Sequence, residues 1–149
     1  MFQEKITYKD YDEVERTETF YFNLSRAEIT ELQLTYPGGY AEHIEKVTES
    51  RDRPAIVKMF KDLIFRTYGE KSEDGRRLVK SEELSRAFME TPAYDELFMH
   101  IASDPEYATK FVAGVMPDFG NPDAKAEVIA KTKARIDEMR KSAESTESE

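Results

Sequence analysis

Along the first 22 residues polar and apolar positions alternate: Phe2, Ile6 and Tyr8 fall on one side with Glu4, and Glu18, Phe20 and Phe22 follow after a polar turn. A period of two puts successive side chains on opposite faces of a strand, so this stretch predicts a β-hairpin. Its turn, near Asp10 to Glu13, contains no Gly, which favours a loop longer than two residues. At Asn23-Leu24-Ser25 the period lengthens to about 3.6, the repeat of an amphipathic helix. Ser25 and Glu28 have the spacing of a capping box and Leu24 that of a hydrophobic staple onto Ile29, so a short helix is expected from here to Thr35. Tyr36-Pro37-Gly38-Gly39 interrupts it, and Ala41, Ile44 and Val47 mark a second short helix ending near Ser50.

The strongest periodic signal lies between Asp52 and Tyr68. Ile56, Met59, Phe60, Leu63 and Ile64 recur at three- and four-residue steps, with Val57 and Phe65 widening the stripe, which predicts a helix covered on more than one flank. Asp52 is placed to cap it, Pro54 to open it, and Gly69 to end it in the left-handed conformation. The polar run Glu70 to Arg77 contains Asp74-Gly75, the signature of a tight turn, and reads as a loop or a small hairpin. Three more helices carry their own caps: Ser81 before Leu84, Ala87 and Phe88; Thr91-Pro92 before Tyr94, Leu97, Phe98 and Ile101; Asp104-Pro105 before Tyr107, Phe111, Val112 and Val115. Asn121-Pro122 opens a last helix to about Lys141, with Ile129, Thr132, Ile136 and Met139 along a thin seam. Such a seam suits docking onto the domain or onto a partner. The remaining Ser142 to Glu149 has nothing to bury.

The expected fold is therefore α+β and mainly α: an N-terminal β-hairpin, a compact cluster of short helices, a longer C-terminal helix and a disordered acidic tail. In domain terms, residues 1–117 form the hairpin and helical unit, 118–141 the C-terminal helix, and 142–149 the tail.

Composition narrows the function. A chain of 149 residues is long enough for a core without staples, and the absence of Cys excludes disulfides, thiolate metal sites and thiol catalysis. A net charge of −9, with basic residues interleaved among Asp and Glu, argues against nucleic acid, whose phosphates are held by clustered Lys and Arg. The longest apolar run, Phe111 to Met116, is far shorter than the ~20 residues of a membrane span, and the start MFQEKITYKD lacks a secretory pattern. A soluble protein that stays where it is made is expected.

Chemistry-bearing residues are sparse. Asp10 and Asp12 begin like a calcium loop, but Val14 and Glu15 stand where an oxygen ligand and a Gly are required. Glu96 and His100, four apart on a helix, read as a surface ion pair, because a second ligand pair is missing. His43 reads as solvated, and Arg76-Arg77 lacks the Gly-rich nest of an anion site. No Gly-x-Ser-x-Gly elbow occurs, and the aromatics fall on core-facing positions. No enzyme activity, cofactor or metal is expected.

Ile6-Thr7-Tyr8-Lys9-Asp10-Tyr11-Asp12 running into Arg16-Thr17-Glu18-Thr19-Phe20-Tyr21-Phe22-Asn23-Leu24-Ser25 resembles the start of the tail assembly chaperones of long-tailed, siphovirus-like bacteriophages. Tyr68-Gly69-Glu70-Lys71-Ser72 with Asp74-Gly75-Arg76-Arg77, then Lys80-Ser81-Glu82-Glu83-Leu84, then Phe88, Thr91, Ala93-Tyr94 and Glu96-Leu97-Phe98 carry the likeness onward, over about residues 5–117. It implies a non-enzymatic protein of the bacterial host cytoplasm, absent from the mature virion. Such a protein binds the phage tape measure protein, promotes assembly of the tail tube protein around it, and in many cases has a longer frameshifted form. It touches neither nucleic acid nor membrane, and homo-oligomers are compatible with it. A structural virion component, such as a head-to-tail completion or tail tube-associated protein, is the alternative. The expected partner contacts are Ile129, Ile136 and Met139, with residues 1–117 folding alone.

Overall fold

A computed structural model of the chain describes residues 1–117 and, beyond them, Ala134. The expected C-terminal helix and tail, with Ile129, Ile136 and Met139, lie outside the described residues.

The alternating N-terminal stretch forms β1 (Phe2–Lys9) and β2 (Glu15–Phe22), paired antiparallel from Phe2 against Phe22 to Lys9 against Glu15. Their connection is a five-residue loop as its composition requires, with Glu13 in the left-handed region at φ 63°. The Asp10 carboxylate accepts from the amides of Asp12 and Val14 and pairs with Arg16 at 2.6 Å, so this aspartate organises the turn itself. Phe2, Ile6 and Tyr8 are buried on one face.

Helix α1 (Arg26–Thr35) starts at Ser25 with both halves of the capping box made: the Ser25 hydroxyl accepts from the Glu28 amide, and the Glu28 carboxylate accepts from the Ser25 amide. Helix α2 (Tyr40–Glu49) follows the glycine break, where Gly38 and Gly39 take positive φ. The long apolar stripe becomes α3 (Arg53–Thr67), capped by Asp52 onto the Ala55 amide, with Met59, Phe60, Leu63 and Ile64 buried. Val57, expected to widen that stripe, is 47% exposed instead, because a helix with one main packing flank buries an arc of this width and no more.

The end of α3 departs from expectation. Gly69 is not a left-handed cap: the chain turns extended at Tyr68 and continues directly into β3 (Tyr68–Lys71). Tyr68 pairs with Phe22 and Gly69 with Tyr21, which adds a strand to the N-terminal hairpin. Gly75, at φ 74°, then turns β3 into β4 (Leu78–Val79). The expected isolated hairpin is thus half of a four-stranded antiparallel sheet in the order β1-β2-β3-β4. A glycine is required at position 69 by close approach: a Cβ there would lie 2.6 Å from Leu78 Cγ.

Helices α4 (Glu82–Met89), α5 (Pro92–Ser103) and α6 (Pro105–Val115) begin at the predicted caps Ser81, Thr91 and Asp104, each accepting from an amide two or three residues on. They cover the inner face of the sheet. Phe88 is the hub, its ring 4.4 Å from Tyr68 and 5.1 Å from Phe20 between centroids, while Phe22 and Phe111 close the next layer at 5.5 Å. Ala87, expected on the apolar side of α4, is exposed, which a side chain of one methyl tolerates at little cost.

Candidate functional site

One side of the helical layer is concave. A groove of about 500 Å³ runs between α1, α3 and the start of α4. Leu24, Leu32 and Phe65 supply its apolar lining, the first two buried and Phe65 half-buried. Glu28 and Glu31 project from α1, Asp62 and Arg66 from α3, and Lys80 and Glu82 from the entry to α4. Four carboxylates against two cations make the groove net acidic.

Lys80 ties two walls together. Its ammonium pairs with both oxygens of Glu28, at 2.9 and 2.8 Å, and donates to the Asn23 carbonyl. Glu28 therefore does two jobs, closing the capping box and anchoring a residue 52 positions away. Burial raises its pKa, but the Lys80 hydrogen bond and the Ser25 amide outweigh this and hold the carboxyl below its ordinary value. Asp62 and Arg66 pair along α3 at 2.7 Å, and the Ser85 hydroxyl donates to the Phe65 carbonyl at 2.8 Å, fixing α4 against α3. Glu31 and Glu82 make no ion pair among the described residues. Ion pairs and hydrogen bonds thus tie the walls of the groove together, while Glu31 and Glu82 at its rim have no cation partner among the described residues.

The histidines sit elsewhere and differ from expectation. His43 is not simply solvated: it is half-buried, its ring 4.4 Å from Tyr36 and 6.0 Å from Tyr40, because the glycine break folds α2 back toward the end of α1. His100 lies 3.8 Å from Asp104, not paired with Glu96, and stacks on Tyr107 at 3.5 Å; the ring follows the turn into α6 and leaves Glu96 behind. No group of three His, Asp or Glu side chains among the described residues has metal-binding proximity. Arg76 and Arg77 are exposed on the β3–β4 turn, where Asp74 and Ser72 accept from their amides. No helix of the described residues is long and apolar enough to cross a membrane.

The residues singled out from the seam, Ile129, Ile136 and Met139, lie outside the described residues, so the structure brings none of them to the groove. Grooves between the short helices follow from their tight succession, but the residues lining this one had no forewarning in the sequence. Lys80 and Glu28 are one Lys and one Glu among 22 cations and 31 carboxylates, and only the pairing of β2 with β3 places them side by side.

The described residues thus form an α+β core with a charged, apolar-lined groove between helices. The chain belongs to a phage tail assembly chaperone family, whose model matches residues 1–149, the whole length. That family is not known as enzymatic. No curated protein and no solved structure matches the chain.

Proposed function

We propose that the chain binds the phage tape measure protein in the host cytoplasm and promotes assembly of the tail tube around it, leaving before the virion is complete. The observation that carries this reading is the extent of the family match. It runs through residue 149, so the segment bearing Ile129, Ile136 and Met139 belongs to the same pattern as the folded core. That narrow apolar seam, flanked by Lys125, Lys131, Lys133, Arg135, Asp137 and Glu138, suits contact with the helices of another chain, where side chains at three- and four-residue steps act as anchors. The acidic surface charge adds solubility to the complex while the tape measure protein is unsheathed.

The test is co-expression of tagged chain with the tape measure protein of the same phage, followed by pull-down and sizing. The parent chain recovers tape measure protein, and Ile136→Asp, with the circular dichroism of the folded parent, recovers at least tenfold less. Equal recovery by the two would remove the seam from the binding surface.

A further inference from the structure

The groove between α1, α3 and α4 calls for an occupant, and three observations single one out. The first is position. The Leu24 amide, which belongs to a groove-lining residue, donates to the Val115 carbonyl at 3.0 Å, so the last turn of α6 is clamped to the groove's own edge. The chain leaves the described core there. The second is charge. Residues 121–141 carry six Lys or Arg against four Asp or Glu in a chain whose net charge is −9, and the groove presents four carboxylates against two cations, with Glu31 and Glu82 unpaired among the described residues. The third is reach. The five residues from 117 to 121, before Pro122 opens the expected helix, span up to roughly 16–18 Å when extended, and they start beside the groove-lining Leu24, so the following segment begins at the groove's edge.

We propose that residues 125–141 of the same chain dock on this groove, with Ile129, Ile136 and Met139 over Leu32 and Phe65 and the flanking cations toward Glu31 and Glu82. Tethering favours the chain's own segment over that of a second copy, because a short linker holds it at an effective concentration on the order of millimolar. The inference rests on the reading of this seam as the tape measure contact, and adds its regulation: a seam held in the groove is withheld from other chains until a client displaces it. The device keeps an apolar stripe covered on a chaperone waiting for its substrate.

Because the chain has no cysteine, disulfide trapping in the full-length protein reads the docking directly. Glu31→Cys is paired in turn with Val128→Cys, Thr132→Cys and Arg135→Cys, with Tyr11→Cys at the far hairpin tip as the reference partner. Mild oxidation should give an intramolecular disulfide for at least one groove pair, in a yield independent of protein concentration, lowered by salt, and several times that of the Tyr11 pairs. Groove pairs that oxidise no better than the Tyr11 pairs, or that yield disulfide-linked dimers, would overturn same-chain docking. The regulatory half is read on the double variant Glu31→Lys with Glu82→Lys, which should release the seam and raise tape measure recovery severalfold; unchanged or lower recovery would overturn it. Recovery by the parent chain tests the tape measure reading separately, so the two failures cannot be confused.

Discussion

Single residues carry the core unevenly. Phe60, 5% exposed on α3, and Phe88, 3% exposed at the centre of the aromatic cluster, should each cost about 3–5 kcal/mol when truncated to Ala, through lost burial and an unfilled cavity. Phe98 is half-buried and should cost distinctly less; chemical denaturation of the three variants ranks them. Tyr40 gives the opposite sign. Its hydroxyl is buried with no hydrogen-bond partner among the described residues, and burial pushes its pKa far upward, so the group is neutral and unsatisfied. Tyr40→Phe should leave stability unchanged or raise it by about 1 kcal/mol, and a loss above that in the same denaturation series would show the hydroxyl is satisfied. Glu28 supplies a pH signature. Its carboxyl titrates lower folded than unfolded, so its contribution is present above the unfolded value and lost as pH falls through the folded one. Lys80→Met should therefore be less stable than the parent near neutrality, by on the order of 1 kcal/mol for this partly exposed pair, with the difference narrowing as pH falls below the ordinary glutamate value and closing below the folded one. Melts across that range measure it. Residue identities such as Phe60 and Phe88 were readable as core from their spacing. The unsatisfied Tyr40 and the paired Glu28 were not, since hydrogen-bond partners depend on what lies opposite in space.

At the scale of elements, helix starts were the most legible feature, because a cap acts within three residues: Ser25, Asp52, Ser81, Thr91 and Asp104 all accept from the amides their positions predicted. The sheet was half legible. Alternation announced β1 and β2, but β3 is four residues long and pairs with β2 across more than 40 intervening positions, a contact with no local trace. Gly69 shows how this misleads: after a helix a glycine ordinarily reads as a left-handed cap, and only the partner strand shows that it clears space for Leu78. Gly69→Ala should destabilise by about 1–3 kcal/mol through overpacking, and Leu78→Ala in the same chain should recover part of that loss. A double-mutant cycle measures the coupling, and strict additivity would mean the two side chains do not compete for one volume.

For the whole molecule, the family is that of phage tail assembly chaperones, and an acidic groove lies beside the point where the chain leaves α6. The family was legible from scattered structural residues between Ile6 and Phe98, whereas the groove was not, since it is assembled from α1, α3 and α4 by the strand pairing described above. The proposed role is that the protein escorts the tape measure protein and then departs. Quantitative mass spectrometry of tape measure complexes drawn from infected cells, set beside purified virions of the same phage, distinguishes escort from incorporation. The chain should be abundant in the intracellular complexes and missing from the particles; a fixed copy number in the virion would instead make it a structural component of the tail.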